Sequence, residues 1–475
     1  MRHSVLTVTP RRFTDLALVA IVTLAFYRVP SHLWFAELLT VGNYKISITE
    51  FVLAYSFVLV VLQKFQRLPS ALVLFGVALV CSVMFSGNAS DYFLTLIIGI
   101  VPLMLAGLLA NERISTNDLI VLLKILFVAG LVFLVLAVTT RSLLGLVSEV
   151  QTARGLVVVQ EMVISIGGED HSRLSMPGLD KNKFAMQMTL AGLIGLFFWK
   201  TERRRRRKIV YFALSSILLS VPLWAFSKGA FISSLLGVAY LLIVARWFKL
   251  SLVLSISLLL VLLSLLYTPL LLLYAAWIGQ VLKYIPGINF VATDLAFFYD
   301  VWDTSDRFVA LSHDWELFRE RPLIGVGYGS LEYIQPRLFG ASEHNYYIRI
   351  LVETGLIGFG VFLYLVANQM FWIRKIGQRL SRFLRRRVSS GDLGDFALLG
   401  QLFVAMYITL MANLIVAPAD YNFWIVTGLI ILWRRYGTAA TAISAPGGHG
   451  VRYNQQSGAR SSARAYQTGR RKHYR

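Results

Sequence analysis

Long apolar runs separated by short polar connectors set the pattern of this chain. The runs lie at approximately 14–30, 46–63, 69–86, 91–110, 118–138, 184–200, 209–226, 229–248, 250–275, 346–371, 396–416 and 421–433. They are continuous rather than alternating, which predicts helices and argues against a transmembrane barrel. The expected fold is therefore all-α, a polytopic transmembrane helical bundle of about twelve spans. Two connectors are long enough to build something of their own, 139–183 and 278–345. In the second, Phe308, Leu311, Trp315 and Phe318 recur at three- and four-residue steps, one apolar face of a helix. Thr304 or Ser305 can cap its start, Asp306 suits its first turn, and Pro322 limits its end. Residues 331–338 read as another short helix. Both are expected to lie along the membrane surface, apolar face down.

Composition agrees. The 475 residues are 57% hydrophobic and 15% charged, with a mean hydropathy of +0.65, far from the balance of a soluble domain. The formal net charge of +21 sharpens the topology. With the N-terminus inside, the basic clusters at 64–67, 113, 203–208, 246–249, 374–387 and from 434 onward fall on one side, as the positive-inside bias requires. The segments 31–45, 86–90, 139–183, 227–228, 278–345 and 417–420 then lie outside, with scattered, mixed charge. The run from Arg203 to Arg207 and Lys208 is accordingly an inner loop and not a nucleic-acid patch. The basic loops are expected to meet anionic inner-leaflet lipids, and 374–387 to form an amphipathic inner-surface helix. The basic start of the chain leads into a retained first span, because Arg28-Val29-Pro30 fits a cleavage site poorly. Residues 1–436 form the membrane domain, and the Gly-, Ser- and Arg-rich tail 437–475 is expected to be disordered and cytoplasmic. Cys81 is the sole cysteine, which excludes an internal disulfide and a cysteine zinc site.

Candidate chemistry gathers between Arg321 and Gly360, where the second long connector meets an apolar run. Ionisable residues and open backbone at that boundary are costly in lipid and point to function. Gly325, Gly327 and Gly329 form a tight turn, or let backbone approach a headgroup or diphosphate closely. The strand–turn–helix order of a nucleotide motif is absent. His344 is the candidate general base, with Glu343 and Asn345 beside it. Arg307 sits in the first turn of the loop helix, where the dipole disfavours a cation. Asp303, Asp306 or Asp314 can partner it, and it can also face an anion at the membrane surface. Lys228, between two spans, either snorkels or adds a second cation. His313, on the loop helix, is ordinary beside these, and His171 is a distant second candidate. The dispersed histidines, and Asp300, Asp303 and Asp306, match no metal pattern. Glu353, with Glu50 and Lys124, is an ionisable residue within a span and needs a partner or cavity; these three are the best case for a transporter.

The stretch Pro322-Leu323-Ile324-Gly325-Val326-Gly327-Tyr328-Gly329-Ser330, then His344-Asn345, then Glu353-Thr354-Gly355-Leu356-Ile357-Gly358, resembles the signature region of the O-antigen ligase and polymerase family. Arg307, Gly178 with Asn182, and Ser227-Lys228-Gly229 extend the likeness, although the family usually carries arginine where this chain has Lys228. The resemblance implies a GT-C-like bundle in the bacterial inner membrane, with both termini cytoplasmic and the long loops periplasmic. It implies a polyprenyl (undecaprenyl) diphosphate-linked glycan donor and a hydroxyl acceptor on another glycan or on the lipid A core. It implies His344 as general base and Arg307 and Lys228 on the departing diphosphate. Gly325, Gly327, Gly329, Asn345 and Glu353 complete the expected substrate site, with no metal and no other cofactor. A transporter or flippase of a lipid-linked glycan is the alternative.

Overall fold

A computed structural model describes residues 10–27, 39–41, 44–46, 69–86, 96, 100, 102–110, 116–144, 149–152, 155–158, 163–166, 169–172, 174, 181–225, 227–245, 247, 305–331, 345–386, 391–413 and 421–443. The expected span 46–63 apart from Ile46, the span 250–275, most of the connector 278–345 and the tail from 444 lie outside these residues.

The described chain is predominantly helical. The helices are α1 (Pro10–Tyr27), α2 (Ser70–Met84), α3 (Thr116–Leu144), α4 (Lys181–Thr201), α5 (Arg205–Trp224), α6 (Lys228–Ala239), α7 (Ser305–Glu320), α8 (Tyr346–Arg386), α9 (Gly391–Ala412) and α10 (Tyr421–Ile443). A further helical stretch covers 102–110, and α6 continues through a π-helical turn at Tyr240–Val244. The segments Asn117–Thr139, Arg205–Trp224 and Tyr346–Trp372 are long and apolar enough to cross a membrane. Helices coincide with the expected apolar runs throughout the described residues. Two boundaries differ. The basic stretch 374–387, expected as a separate surface helix, continues α8 to Arg386. Helix α10 runs to Ile443, into the segment expected to be disordered.

The connectors hold a second difference. Three two-stranded antiparallel hairpins occur: β1 (Leu39–Val41) with β2 (Tyr44–Ile46), β3 (Glu149–Thr152) with β4 (Gly155–Val158), and β5 (Val163–Ile166) with β6 (Glu169–Ser172). The connector 139–183 thus carries strands as well as the end of α3. These ribbons leave the helical architecture unchanged.

Helix α4 is the centre of the bundle. It is buried from Phe184 to Phe198 and packs on α5, α3, α6 and α9. A helix apolar on every side has no lipid-facing stripe and belongs inside. Within the same core, a set of rings ties α2, α8, α9 and α10 together. Phe75 lies 5.8 Å from Phe362 and 5.6 Å from Trp424, and Phe423 lies 5.7 Å from Tyr407. Valines of α3 face outward instead, Val128 and Val135 among them, as suits a helix in contact with lipid.

Contacts between helix ends sort into two groups. At one end of the bundle Arg435 donates to Ala110 O (2.8 Å), Lys200 Nζ to Trp247 O (2.9 Å), Trp247 Nε1 to Gln401 Oε1, and Trp433 Nε1 to Phe396 O (3.0 Å). At the other end Leu174 N donates to Trp224 O (2.9 Å), Arg321 to Phe85 O and Ser86 O (both 2.9 Å), and Tyr347 Oη to Met411 O. Each bond joins chain ends that strict alternation of the spans assigns to one side. The first group holds the basic clusters and the second the long connectors.

Candidate functional site

Helix α8 is broken at Gly355, which adopts φ 65° and ψ −172°. In an unbroken helix the amides of Leu356 and Ile357 would donate to the carbonyls of Val352 and Glu353. Here they donate to Pro322 O (2.8 Å) and Leu323 O (3.1 Å). The carbonyls of Val352 and Glu353 accept instead from Val326 N (3.0 Å) and Gly327 N (3.0 Å). The glycine loop is spliced into the gap, and both missing helical bonds are replaced on both sides. Irregular backbone at a lipid boundary survives only where protein satisfies it, and the splice does this.

The crossing is tight. A Cβ on Gly325 would meet Glu353 C and O at 2.4 Å, and one on Gly355 would meet Leu323 C and O at 2.4 Å. Gly325, Gly327 and Gly329 have φ of 79°, 112° and 88°, which L side chains seldom adopt. Glycine at 325 and 355 is therefore required by the meeting of two backbones. The N–H of Gly327 is spent on Glu353 O.

The splice carries polar side chains into the interior. Glu353 is fully buried; its Oε1 accepts from Arg349 Nε at 3.1 Å and from Leu331 N at 3.4 Å. Asn345 opens the helix: its Oδ1 accepts from Tyr347 N (3.1 Å) and Ile348 N (3.4 Å), an N-cap. Tyr328 N donates to Ser82 Oγ (3.2 Å), seating the loop on α2. Arg321 holds the end of α7 to the same helix through Phe85 O and Ser86 O. On α7, Trp315 is exposed while Asp314 is buried.

A second cluster forms from residues far apart in sequence. Ser227 Oγ donates to Asn182 Oδ1 at 2.6 Å, and both residues are buried. Ser227 also caps α6, accepting from Ala230 N at 3.4 Å, so Lys228 begins that helix.

Among the expected site residues, the structure brings Gly325, Gly327 and Glu353 together, with Asn345 at the head of the same half-helix. His344 lies outside the described residues, as do the side chains of Arg307 and Lys228, whose backbones are helical. Three supporting residues went unforeseen: Arg349, Arg321 and Ser82. Arg349 had a signal, four residues before Glu353 on one helix face; Ser82 had none.

A helical membrane protein with a glycine loop spliced into a broken helix is the class these features define. A family model described as O-antigen ligase matches residues 213–363, which take in Ser227, the glycine loop and the break at Gly355, while Asn182 lies outside the match. The match, over less than half of the chain, supports an O-antigen ligase and polymerase family assignment. No curated protein matches the chain.

Proposed function

We propose that the protein transfers a glycan from a polyprenyl diphosphate to a hydroxyl acceptor at the periplasmic face of the inner membrane. The observation that carries this reading is the coincidence of the family match with the splice. The matched stretch includes the loop, the broken helix and, between them, the position suited to proton transfer, His344. In this reading the imidazole of His344 takes the proton of the attacking hydroxyl. Arg307 and Lys228 offset charge on the departing diphosphate, and fixed charges of this kind commonly lower a barrier more than proton transfer does. Gly325, Gly327 and Gly329 shape the loop that receives the donor, Asn345 sets the helix start beside the base, and Glu353 braces the loop from inside. Fixed cations carry the charge, so catalysis needs no metal and survives EDTA in purified protein. About twelve spans in a GT-C-like bundle place both termini in the cytoplasm, with the basic loops on anionic inner-leaflet lipids.

Polymerisation is favoured over ligation, since the altered basic position at Lys228 and the basic tail give no sign of lipid A recognition. The transporter reading retains Lys124 and Glu353, but Glu353 is spent on Arg349 and Leu331 N. The test is His344→Ala in a strain lacking the wild-type protein. Accumulation of polyprenyl-linked glycan on the outer face is expected, with loss of long chains and retention of single units. Accumulation on the inner face would instead establish transport. Free polymer on polyprenyl diphosphate, with none on lipid A, would establish ligation. Arg307→Ala should raise the barrier by about 3 kcal/mol, a rate loss of roughly a hundredfold.

A further inference from the structure

Helices α1, α3 and α5 enclose an apolar groove of about 930 Å³. Thr23, Leu24 and Tyr27 of α1 form one wall, and Val128 and Val132 of α3 form another. Val128, Val132 and Val210 are exposed, so the groove opens toward lipid. Its size falls in the range of ligand sites, roughly 300–1,000 Å³. One end is cationic, with Lys124, Arg206 and Arg207.

A second cavity of about 390 Å³ adjoins it and shares Lys124 and Tyr211. Arg203, Arg204 and Glu202 line it. The two cavities together therefore present five cations, Lys124, Arg203, Arg204, Arg206 and Arg207, against the single carboxylate of Glu202. That carboxylate already accepts the backbone N–H groups of Arg203 (2.9 Å) and Arg204 (3.0 Å). Lys124 Nζ stands 6.0 Å above the Phe198 ring. An apolar trough leading into a cationic pocket is complementary to an amphiphile with an anionic head. The pocket lies at the bundle end where Lys200 meets Trp247, opposite the splice, so it is separate from the donor site.

We propose that this composite site binds one anionic diacyl phospholipid, its phosphate beside Lys124, Arg206 and Arg207 and an acyl chain along the groove between α1, α3 and α5. A phosphate there relieves the repulsion of five clustered cations, which is strongest where lipid lowers the dielectric. The chain fills the gap between α1 and α5, neither of which closes the groove. This site rests on the end of the bundle lying at headgroup level and not on the glycan reading.

The test uses the full chain, purified in detergent and titrated with mixed micelles of dioleoyl phosphatidylglycerol or dioleoyl phosphatidylcholine. Native mass spectrometry counts retained lipid, and thermal unfolding is followed in parallel. Phosphatidylglycerol should be retained and should raise Tm, and phosphatidylcholine should do neither. Lys124→Gln with Arg206→Gln should weaken retention at least tenfold. Val132→Trp should weaken it without changing charge, by filling the groove. Arg319→Gln, an exposed cation of α7 at the opposite end of the bundle, should leave it unchanged. Equal retention of phosphatidylcholine, or undiminished retention by both groove variants, overturns the proposal. So does displacement by millimolar inorganic phosphate, which would show an anion site without a chain, or by equimolar polyprenyl phosphate, which would show a prenyl carrier. None of these readings requires glycan transfer, so failure of the enzymatic reading leaves them intact.

Discussion

Gly325 and Gly355 face one another across the splice, and each leaves no room for a Cβ. Alanine at either must shift backbone against backbone in a conformation L residues resist, a cost of about 3 kcal/mol. The double variant should cost much less than the sum, because both single changes break one crossing. Gly360 is the control: nothing lies within 4 Å of its missing Cβ, so Gly360→Ala should change stability by about 1 kcal/mol or less. Thermal unfolding in detergent would check all four. Glu353 offers a second test. Arg349→Ala leaves a carboxylate with no exposure facing one fewer cation, and should destabilise by about 3 kcal/mol. Adding Glu353→Gln to that variant should recover part of the loss in a double-mutant cycle. Glu353 was legible in the sequence as a costly residue within a span; its partner Arg349, four residues before it, went unforeseen. The meeting of Gly325 with Gly355 was not, since glycine announces permissive backbone without naming what comes near.

The broken helix was the least legible element. Residues 346–371 read as one span, but the helix is kinked at Gly355, and nothing in the local sequence marks a stop there. Glycine is common in membrane helices, and Thr354, which bonds Ile350 O at 2.7 Å, behaves as an ordinary helical residue. The helix opens because a distant loop supplies replacement bonds, information absent from local propensity. The hairpins are the opposite case. Gly42-Asn43 and Gly167-Gly168 stand between their paired strands and are turn signals a sequence can carry; beside long apolar runs, such short signals are easily outweighed. Helix α7 was legible through its apolar spacing and Pro322, which follows its end. Its anchor was not. Arg321→Ala removes two bonds to α2 and should lower stability by about 1 kcal/mol, most of it unrecovered by Arg321→Lys, because an ammonium lacks the planar fork.

For the molecule as a whole, hydropathy and charge alone made the two-sided arrangement readable. The end-to-end contacts agree with it wherever the chain is described, since Ala110–Arg435 and Phe396–Trp433 share one end while Asn182–Ser227 and Phe85–Arg321 share the other. What charge could not supply was the burial of α4, whose residues resemble those of its lipid-facing neighbours. The sidedness is open to a direct check, because Cys81 is the sole cysteine. In a Cys81→Ser background, Glu320→Cys, exposed at the end of α7, should react with an impermeant maleimide added from the periplasm, and Arg204→Cys should react only after the membrane is opened. Reversed labelling would invert the topology on which the placement of His344 depends.

The splice also bears on how the protein is made. As α8 leaves the ribosome it can insert as an uninterrupted rod, with Leu356 and Ile357 bonded to Val352 and Glu353 in the usual way. The loop can enter later by exchanging those two bonds for four, two on each rim of the gap. The amides of Leu356 and Ile357 and the carbonyls of Val352 and Glu353 all have partners in the finished state, so for these groups maturation demands a swap of partners and not the exposure of bare backbone to lipid.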